Sequence, residues 1–494
     1  MQALKKRKSI KYTMISIALL LCLAIAVISG AQSLDSAPNA VVTPTASATL
    51  NDTYGALFNG STYRYTDHTK VEDMHSGART DDTTVITVDS TKDHGSQENP
   101  FVIDSTAKWN AFAADMGNTS SGITDYGAGD YFVLAKNLDF SSSTFTPVTR
   151  FDGTFYGLGN TIATPVHNFG KINDCGAFGL ITSSTLISDL FLQEVAFTEI
   201  GGYGGALVGR SNGGKILNCH ATGDIRRDSS SKVWTTVGGL VGYVHNNDAN
   251  LLVYRSSAVT TTYFYVINQT TGCAAGGIVG ATREKATVEI LDCYASMVAD
   301  VALSSDLYSG SMLGFSFYGN GFRIENCAGY FFHKNAQNTL SDYHAASLVN
   351  VYADSSTPID ITIKNTYTDG GYSNGSSSYS TYPTVYVTPQ QSEYNKTHFD
   401  ISNVNWYANA NPSLSSNYGD LVALMAAAEE KRFSAAVSDL WDAAKTDTYA
   451  NGKYILSESI WTNRSNIVIH IGYDSSSFTF DDSPIVNKLQ QDQF

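Results

Sequence analysis

Gly238-Gly239-Leu240-Val241-Gly242-Tyr243 decides the fold, because the chain keeps returning to it. Upstream it stands as Gly204-Gly205-Ala206-Leu207-Val208-Gly209, and downstream as Gly276-Gly277-Ile278-Val279-Gly280 and, more loosely, Gly310-Ser311-Met312-Leu313-Gly314. Cys175-Gly176-Ala177-Phe178-Gly179 is an earlier partial copy, and Ala345-Ala346-Ser347-Leu348-Val349-Asn350 a last one without glycines. Each copy is followed by a β-rich run that ends in a small or polar pair. These runs include Ile216-Leu217-Asn218-Cys219, Leu252-Val253-Tyr254-Arg255-Ser256-Ser257, Val288-Glu289-Ile290-Leu291-Asp292-Cys293 and Ile324-Glu325-Asn326-Cys327.

The closing glycines Gly179, Gly209, Gly242, Gly280 and Gly314 are 30, 33, 38 and 34 residues apart. A period of this size marks a solenoid, whose units bury their apolar faces only against their neighbours. Short strands between glycine and polar turns, with no helical periodicity from 140 to 370, predict an all-β parallel β-helix. Glycines at the turns are expected to supply positive φ. The 38-residue interval holds Thr260 to Tyr265, read as an extra or extended strand.

These stretches resemble the GLUG motif of bacterial surface proteins, close to Gly-Gly-Leu-Val-Gly followed by Ile-x-Asn-Cys-Tyr-Ala-Thr-Gly. Cys219-His220-Ala221-Thr222-Gly223-Asp224-Ile225 and Cys293-Tyr294-Ala295 fit the second part, and the likeness covers roughly 96 to 370. It departs at Ser256-Ser257, where the cysteine is missing, and at the glycine-free last copy. The resemblance implies a right-handed β-helix, in line with the general right-handedness of parallel crossovers. It says little about function.

Met1 to Ala31 has the form of a secretory signal. Lys5, Lys6, Arg7, Lys8 and Lys11 precede a 16-residue apolar run from Met14 to Ser29, with cleavage expected after Ala31. That run is shorter than the roughly 20 residues of a spanning helix, so no membrane span is expected after cleavage. Removing five cations takes the net charge from −15 to −20, which opposes nucleic acid and anionic membranes as partners. Five cysteines then remain, an odd number that argues against a full disulfide framework. Cys219, Cys293 and Cys327 share a phase of the repeat and read as small inward residues in a ladder; a Cys293–Cys327 disulfide stays open.

Along the chain, 32–94 reads as a polar linker with a lead-in strand at Thr83 to Val88. From Ser105 or Thr106, Trp109, Phe112, Ala113 and Met116 fall on one face of a short capping helix. The β-helix is expected over 95–371, and 372–494 forms a mixed α/β C-terminal cap. That cap includes a strand near Thr384–Val387 and helices near 420–445, with Asp420 as N-cap.

Glycoside cleavage usually needs two carboxylates about 5–10 Å apart. Asp189, Glu194, Glu199, Asp224, Glu289, Asp292 and Glu325 are the candidates, but Asp189 and Asp292 hold the turn phase of Asn218 and Asn326, where a side chain serves local backbone groups. None of the ten histidines forms His-Glu-x-x-His. No catalytic residue, metal or cofactor is expected. The aromatics of the later coils remain: Tyr263, Tyr265, Phe317, Tyr318, Tyr330 and Phe332 are candidate ligand contacts on outward positions. The expectation is a secreted or cell-surface, non-catalytic binding protein for a glycan or a protein partner. A polysaccharide-degrading enzyme and a structural spacer are the alternatives.

Overall fold

The computed structural model describes residues 59–66, 83–117, 128–227, 234–246, 248–266, 272–283, 285–303, 307–317, 321–325, 327–334, 348–352, 360–373, 379–381, 385–387, 398–407 and 471–472. The expected signal segment, the helices expected near 420–445 and Tyr318 lie outside these residues.

The repeat folds as a parallel β-solenoid of three strips. Asp174–Cys175, Tyr203–Gly205, Thr235–Gly238, Cys273–Gly276 and Leu307–Gly310 pair in parallel as a five-stranded short strip. A nine-stranded middle strip runs from Val148–Phe151 through Phe178–Thr182, Val208–Asn212, Val241–Val244, Val279–Arg283 and Leu313–Phe317 to Val349–Tyr352, Val385–Val387 and Ile471–Gly472. The third strip is bent, each coil giving it two successive strands, such as Gly214–Leu217 with His220–Arg227 and Thr287–Leu291 with Tyr294–Leu303. The long interval expected at Thr260 to Tyr265 is taken up by a ten-residue strand, Ser257–Val266. Parallel pairing continues past 371, the boundary suggested by the fading repeat: His398–Tyr407 stacks on Asp360–Asp369. Strand pairing needs no glycine motif, only an extended chain in register, so it outlasts the motif.

The motif glycines do not work as expected. None of Gly205, Gly238, Gly239, Gly242, Gly276, Gly277, Gly280, Gly310 or Gly314 has positive φ. Their role is to allow backbone to approach backbone. A Cβ on Gly238 would lie 1.9 Å from the Val241 carbonyl oxygen, and one on Gly276 1.8 Å from that of Val279. At the closing position, a Cβ on Gly280 would meet the Gly242 oxygen at 2.4 Å, and one on Gly314 the Gly280 oxygen at 2.4 Å. The second motif position is closed from two sides: a Cβ on Gly239 would lie 2.0 Å from the Gly277 oxygen and one on Gly277 2.0 Å from the Ser311 oxygen, and the bent strip approaches from within. Ala258, Ala295 and Gly329 stack in register. A Cβ on Gly239 would meet Ala258 Cβ at 2.6 Å, and one on Gly277 would meet Ala295 Cβ at 2.6 Å. Where the motif has Ser311 the facing residue is Gly329, whose added Cβ would strike Ser311 Oγ at 2.2 Å. One methyl-sized space is filled from either side.

The expected positive φ is found at Gly213 and Gly214 (107° and 109°), between the middle and third strips, and again, at residues with side chains, on the bend of the third strip. Asp189 (54°), Asn218 (53°), Arg255 (48°) and Asp292 (54°) turn the chain there in the left-handed region, at a cost of about 1 kcal/mol each for a residue with a side chain. The next residue is buried in the core; after Asp189 it is Leu190, and in the later coils it donates to the carbonyl two residues back. Cys219 Sγ reaches Leu217 O at 3.4 Å, Ser256 Oγ reaches Tyr254 O at 2.9 Å, and Cys293 Sγ reaches Leu291 O at 3.1 Å. Cys327 Sγ reaches Glu325 O at 3.1 Å and Thr366 Oγ1 reaches Lys364 O at 2.9 Å. Ser256 therefore fits the pattern of the later coils, where serine, threonine and cysteine all supply a small donor; in the earlier coil the same phase is held by the buried Leu190. The five described cysteines are free thiols, so Cys293 and Cys327 form no disulfide. The Cys293 backbone N–H donates instead to Cys327 Sγ at 3.4 Å. Burial pushes the Cys219 and Cys327 thiols up, which keeps them protonated as donors.

The helix Thr106–Gly117 covers the first coils. Trp109 is fully buried with its ring 5.6 Å from Phe145 and 5.8 Å from Phe178, and its Nε1–H donates to Thr146 O at 2.9 Å. The lead-in strand Thr83–Thr87 has an antiparallel partner that composition had hidden, Thr62–Thr66. Tyr65 from this hairpin lies 4.2 Å from the Tyr156 ring, and Gln97 Nε2 donates to Tyr65 Oη at 2.7 Å.

Three outcomes follow for urea unfolding of purified variants. Trp109→Ala loses about 3–5 kcal/mol, the usual cost of emptying a buried tryptophan site; a loss below 1 kcal/mol would show that the helix does not seal the core. Gly239→Ser is strongly destabilising, and adding Ala258→Gly recovers about 1–2 kcal/mol as contacting residues couple, the Gly277 carbonyl still opposing the new Cβ; simple additivity would refute the shared space. Cys293→Ser stays within about 1 kcal/mol of the parent, whereas Cys293→Ala, which removes the second donor to a Leu291 carbonyl that still accepts from the Arg255 N–H at 3.0 Å, loses about 0.5–1.5 kcal/mol, the net worth of one hydrogen bond.

Candidate binding surface

The glycine turn brings the outer sides of the short and middle strips against each other. Outward positions of the short strip stack as Asp174, Tyr203, Thr236, Ala274 and Tyr308. Those of the middle strip stack as Leu180, Arg210, Tyr243, Ala281 and Phe315. Side chains meet across the angle. Arg210 and Asp174 form an ion pair at 2.9 Å, the Tyr203 and Tyr243 rings stack at 4.3 Å and 18°, and those of Tyr308 and Phe315 at 4.0 Å and 28°. Trp234, just before the short strip, lies 5.6 Å from Tyr308 and 5.8 Å from Phe315. Phe317 extends the cluster 5.6 Å beyond Phe315, with the exposed Arg283 guanidinium 5.2 Å from its ring.

Tyr243 and Phe315 are the buried floor of this trough, at 4% and 1% exposure. Tyr203, Trp234, Tyr308 and Phe317 are half-buried and present ring surface to solvent. Burial raises the Asp174 carboxyl despite the opposing pull of Arg210, and raises the Tyr203 phenol. The trough thus combines aromatic surface with two guanidiniums and a partly desolvated ion pair. It can stack against rings and accept planar anions.

Of the aromatics named from sequence, Phe317 joins this trough. Tyr263 stands on the bent strip, half-buried, with the Arg226 guanidinium 4.3 Å from its ring. Tyr265 shares that strand, and Tyr330 and Phe332 pair through their backbones with Ser296 and Val298 on the same strip; their side chains are outside the described set. Phe264 and Phe331 between them are buried in the core, as strand alternation requires. Triplets of aromatics drew attention to the bent strip, whereas the trough residues are single. Their signal was positional: Tyr243 and Phe315 each follow a closing glycine, and Tyr203 and Tyr308 share one register.

The candidate acids are engaged in structure. Asp189 accepts from Ser188 Oγ and Asn218 Nδ2, both at 2.8 Å, and Asp292 is fully buried at the same bend. Glu194 and Glu199 occupy left-handed turns. Asp224 pairs with Arg226 at 3.2 Å, and Glu289 and Glu325 flank Arg323 at 3.9 and 2.7 Å. His220 Nδ1 lies 2.8 Å from Ser257 Oγ, the spacing of a base and a nucleophile. Exposures of 2% and 1% close that pair to any substrate, and burial pushes the imidazole down to about 3. Among the described residues no cluster of three or more His, Cys, Asp and Glu could hold a metal ion. No helix among them is long and apolar enough to cross a membrane.

No model of a known protein family matches the chain. It is 28% identical over 281 residues to halomucin of Haloquadratum walsbyi, a match covering 53% of this chain and 3% of halomucin. Its structure is similar to that of a Bacteroides ovatus protein provisionally named an immunoglobulin A1 protease, at a TM-score of 0.35 and 15% identity, covering 67% of this chain and 88% of that one.

Proposed function

We propose that this is a secreted or cell-surface β-solenoid of the GLUG type that acts by binding, without catalysis, a glycan or a protein partner. The observation that carries the reading is the row of half-buried aromatic rings, Tyr203, Trp234, Tyr308 and Phe317, on the outer angle between two strips. These rings pack on one another from coil to coil outside the main core and still leave part of their faces to solvent, and aromatic residues with adjoining arginines are typical of recognition surfaces. The likeness to part of halomucin supports a place outside the cell, as does the signal-like start of the chain. The engagement of the candidate acids in turns and ion pairs supports a non-catalytic role.

A glycan array probed with the chain from Gln32 to Phe494, with reducing ends assayed on every bound polysaccharide, tests this. Retention without new reducing ends is expected. Release of reducing ends would overturn the non-catalytic reading. Absence of retention on any glycan, together with absence of binding to cell-surface protein extracts, would overturn binding altogether.

A further inference from the structure

The charge of the middle strip is unlike that of the chain. The full sequence has 46 acidic and 31 basic residues. In the strands of the middle strip the charged residues are Arg150, Arg210 and Arg283, with no Asp or Glu. The strands of the short strip add one acid, Asp174, which Arg210 neutralises at 2.9 Å. Arg150 is likewise held by Asp152 at 3.0 Å. Arg283 remains exposed beside Phe317. The described strands that form the outer angle of a strongly acidic protein thus carry a single acid, Asp174, which is paired, and the aromatic rings stand in the same place.

From this, and resting on the binding role proposed above, we infer that the trough takes a carboxylate-bearing polysaccharide, a polymer of uronic acid units. Tyr203 and Tyr308 are three rungs apart in one register, roughly 14 Å at the strand spacing. A ligand touching both ring pairs is therefore an extended chain and not a single sugar. The apolar faces of its rings lie on Trp234 and Tyr308, and a carboxylate meets the planar fork of Arg283 in a charge-assisted pair. Nucleic acid offers rings and anions too, but at one charge per about 1.7 Å of duplex its repulsion from the remaining acidic surface is far larger. A uronate polymer carries at most one charge per sugar.

The test uses immobilised polygalacturonate, alginate and hyaluronan, with fully methyl-esterified polygalacturonate, dextran sulfate and single-stranded DNA beside them. The full chain is expected to bind at least one uronate polymer about tenfold or more tighter than the ester, the sulfate or the DNA, as removal of a charge-assisted pair would give. Trp234→Ala and Arg283→Gln each weaken that binding about tenfold in chains that still unfold cooperatively in urea, Arg283→Gln with an unchanged midpoint, while Tyr263→Ala on the bent strip leaves it unchanged. Equal binding to the ester, tighter binding to sulfate or DNA, or loss through Tyr263→Ala with Trp234→Ala silent would overturn the assignment. Retention of other glycans on the array by both trough variants leaves the general binding role standing while this inference falls; binding to no glycan removes the inference and leaves only a protein partner.

Discussion

Everything in this structure depends on how closely the backbone of one coil can approach that of the next at the glycine turn. A Cβ on Gly239 would lie 2.0 Å from the Gly277 oxygen of the next coil, one on Gly277 2.0 Å from the Ser311 oxygen, and one on Gly280 2.4 Å from the Gly242 oxygen, a contact that neither rotamer change nor a modest shift relieves. The turn is tight because two strips must leave it at an angle while their strands stay in register with the coils above and below. Register then propagates: Val241, Val279 and Leu313 stack because Gly242, Gly280 and Gly314 do. The aromatic trough is the outer side of the same angle. Fold and candidate site therefore share one cause.

The repeat period and the identity of the closing glycines made the solenoid legible before any coordinates, because stacking forces the same residue type to recur at the same phase. The physical reason for those glycines was not legible. Sequence alone cannot separate a glycine needed for left-handed φ from one needed for close approach, and here the two demands sit at different corners. Left-handed φ fell to Asp189, Asn218, Arg255 and Asp292, residues whose buried side chains line the bend. The cysteines after Asn218 and Asp292 were visible, but Ser256 looked like an exception until its hydroxyl proved to reach the Tyr254 carbonyl as the thiol of Cys293 reaches that of Leu291.

The site was less legible than the fold for a reason rooted in dimension. A trough built by stacking draws its residues from one register of successive coils, so its members are about 35 residues apart in the chain, one per repeat. Tyr203, Tyr243 and Phe315 never look like a motif. The triplets Tyr263-Phe264-Tyr265 and Tyr330-Phe331-Phe332 do, yet strand alternation spends Phe264 and Phe331 on the core.

A solenoid also separates stability from recognition more cleanly than a globular domain does. Inward positions along each strip must keep volume constant from coil to coil, as the exchange of Ala258 with Gly239 for Gly329 with Ser311 shows. Outward positions carry no such demand, so the sequence Asp174, Tyr203, Thr236, Ala274, Tyr308 can change at every rung. Where outward columns change freely, a concentration of one chemistry is informative. On the bent strip, outward charges of both signs answer one another locally, as Arg323 does for Glu289 and Glu325. On the middle strip the acids are missing and the exposed guanidinium faces solvent beside a ring. Local ion pairing accounts for the first pattern, whereas in the second the guanidinium lies over the Phe317 ring and keeps its charge open to solvent, which is the feature the proposed binding role uses.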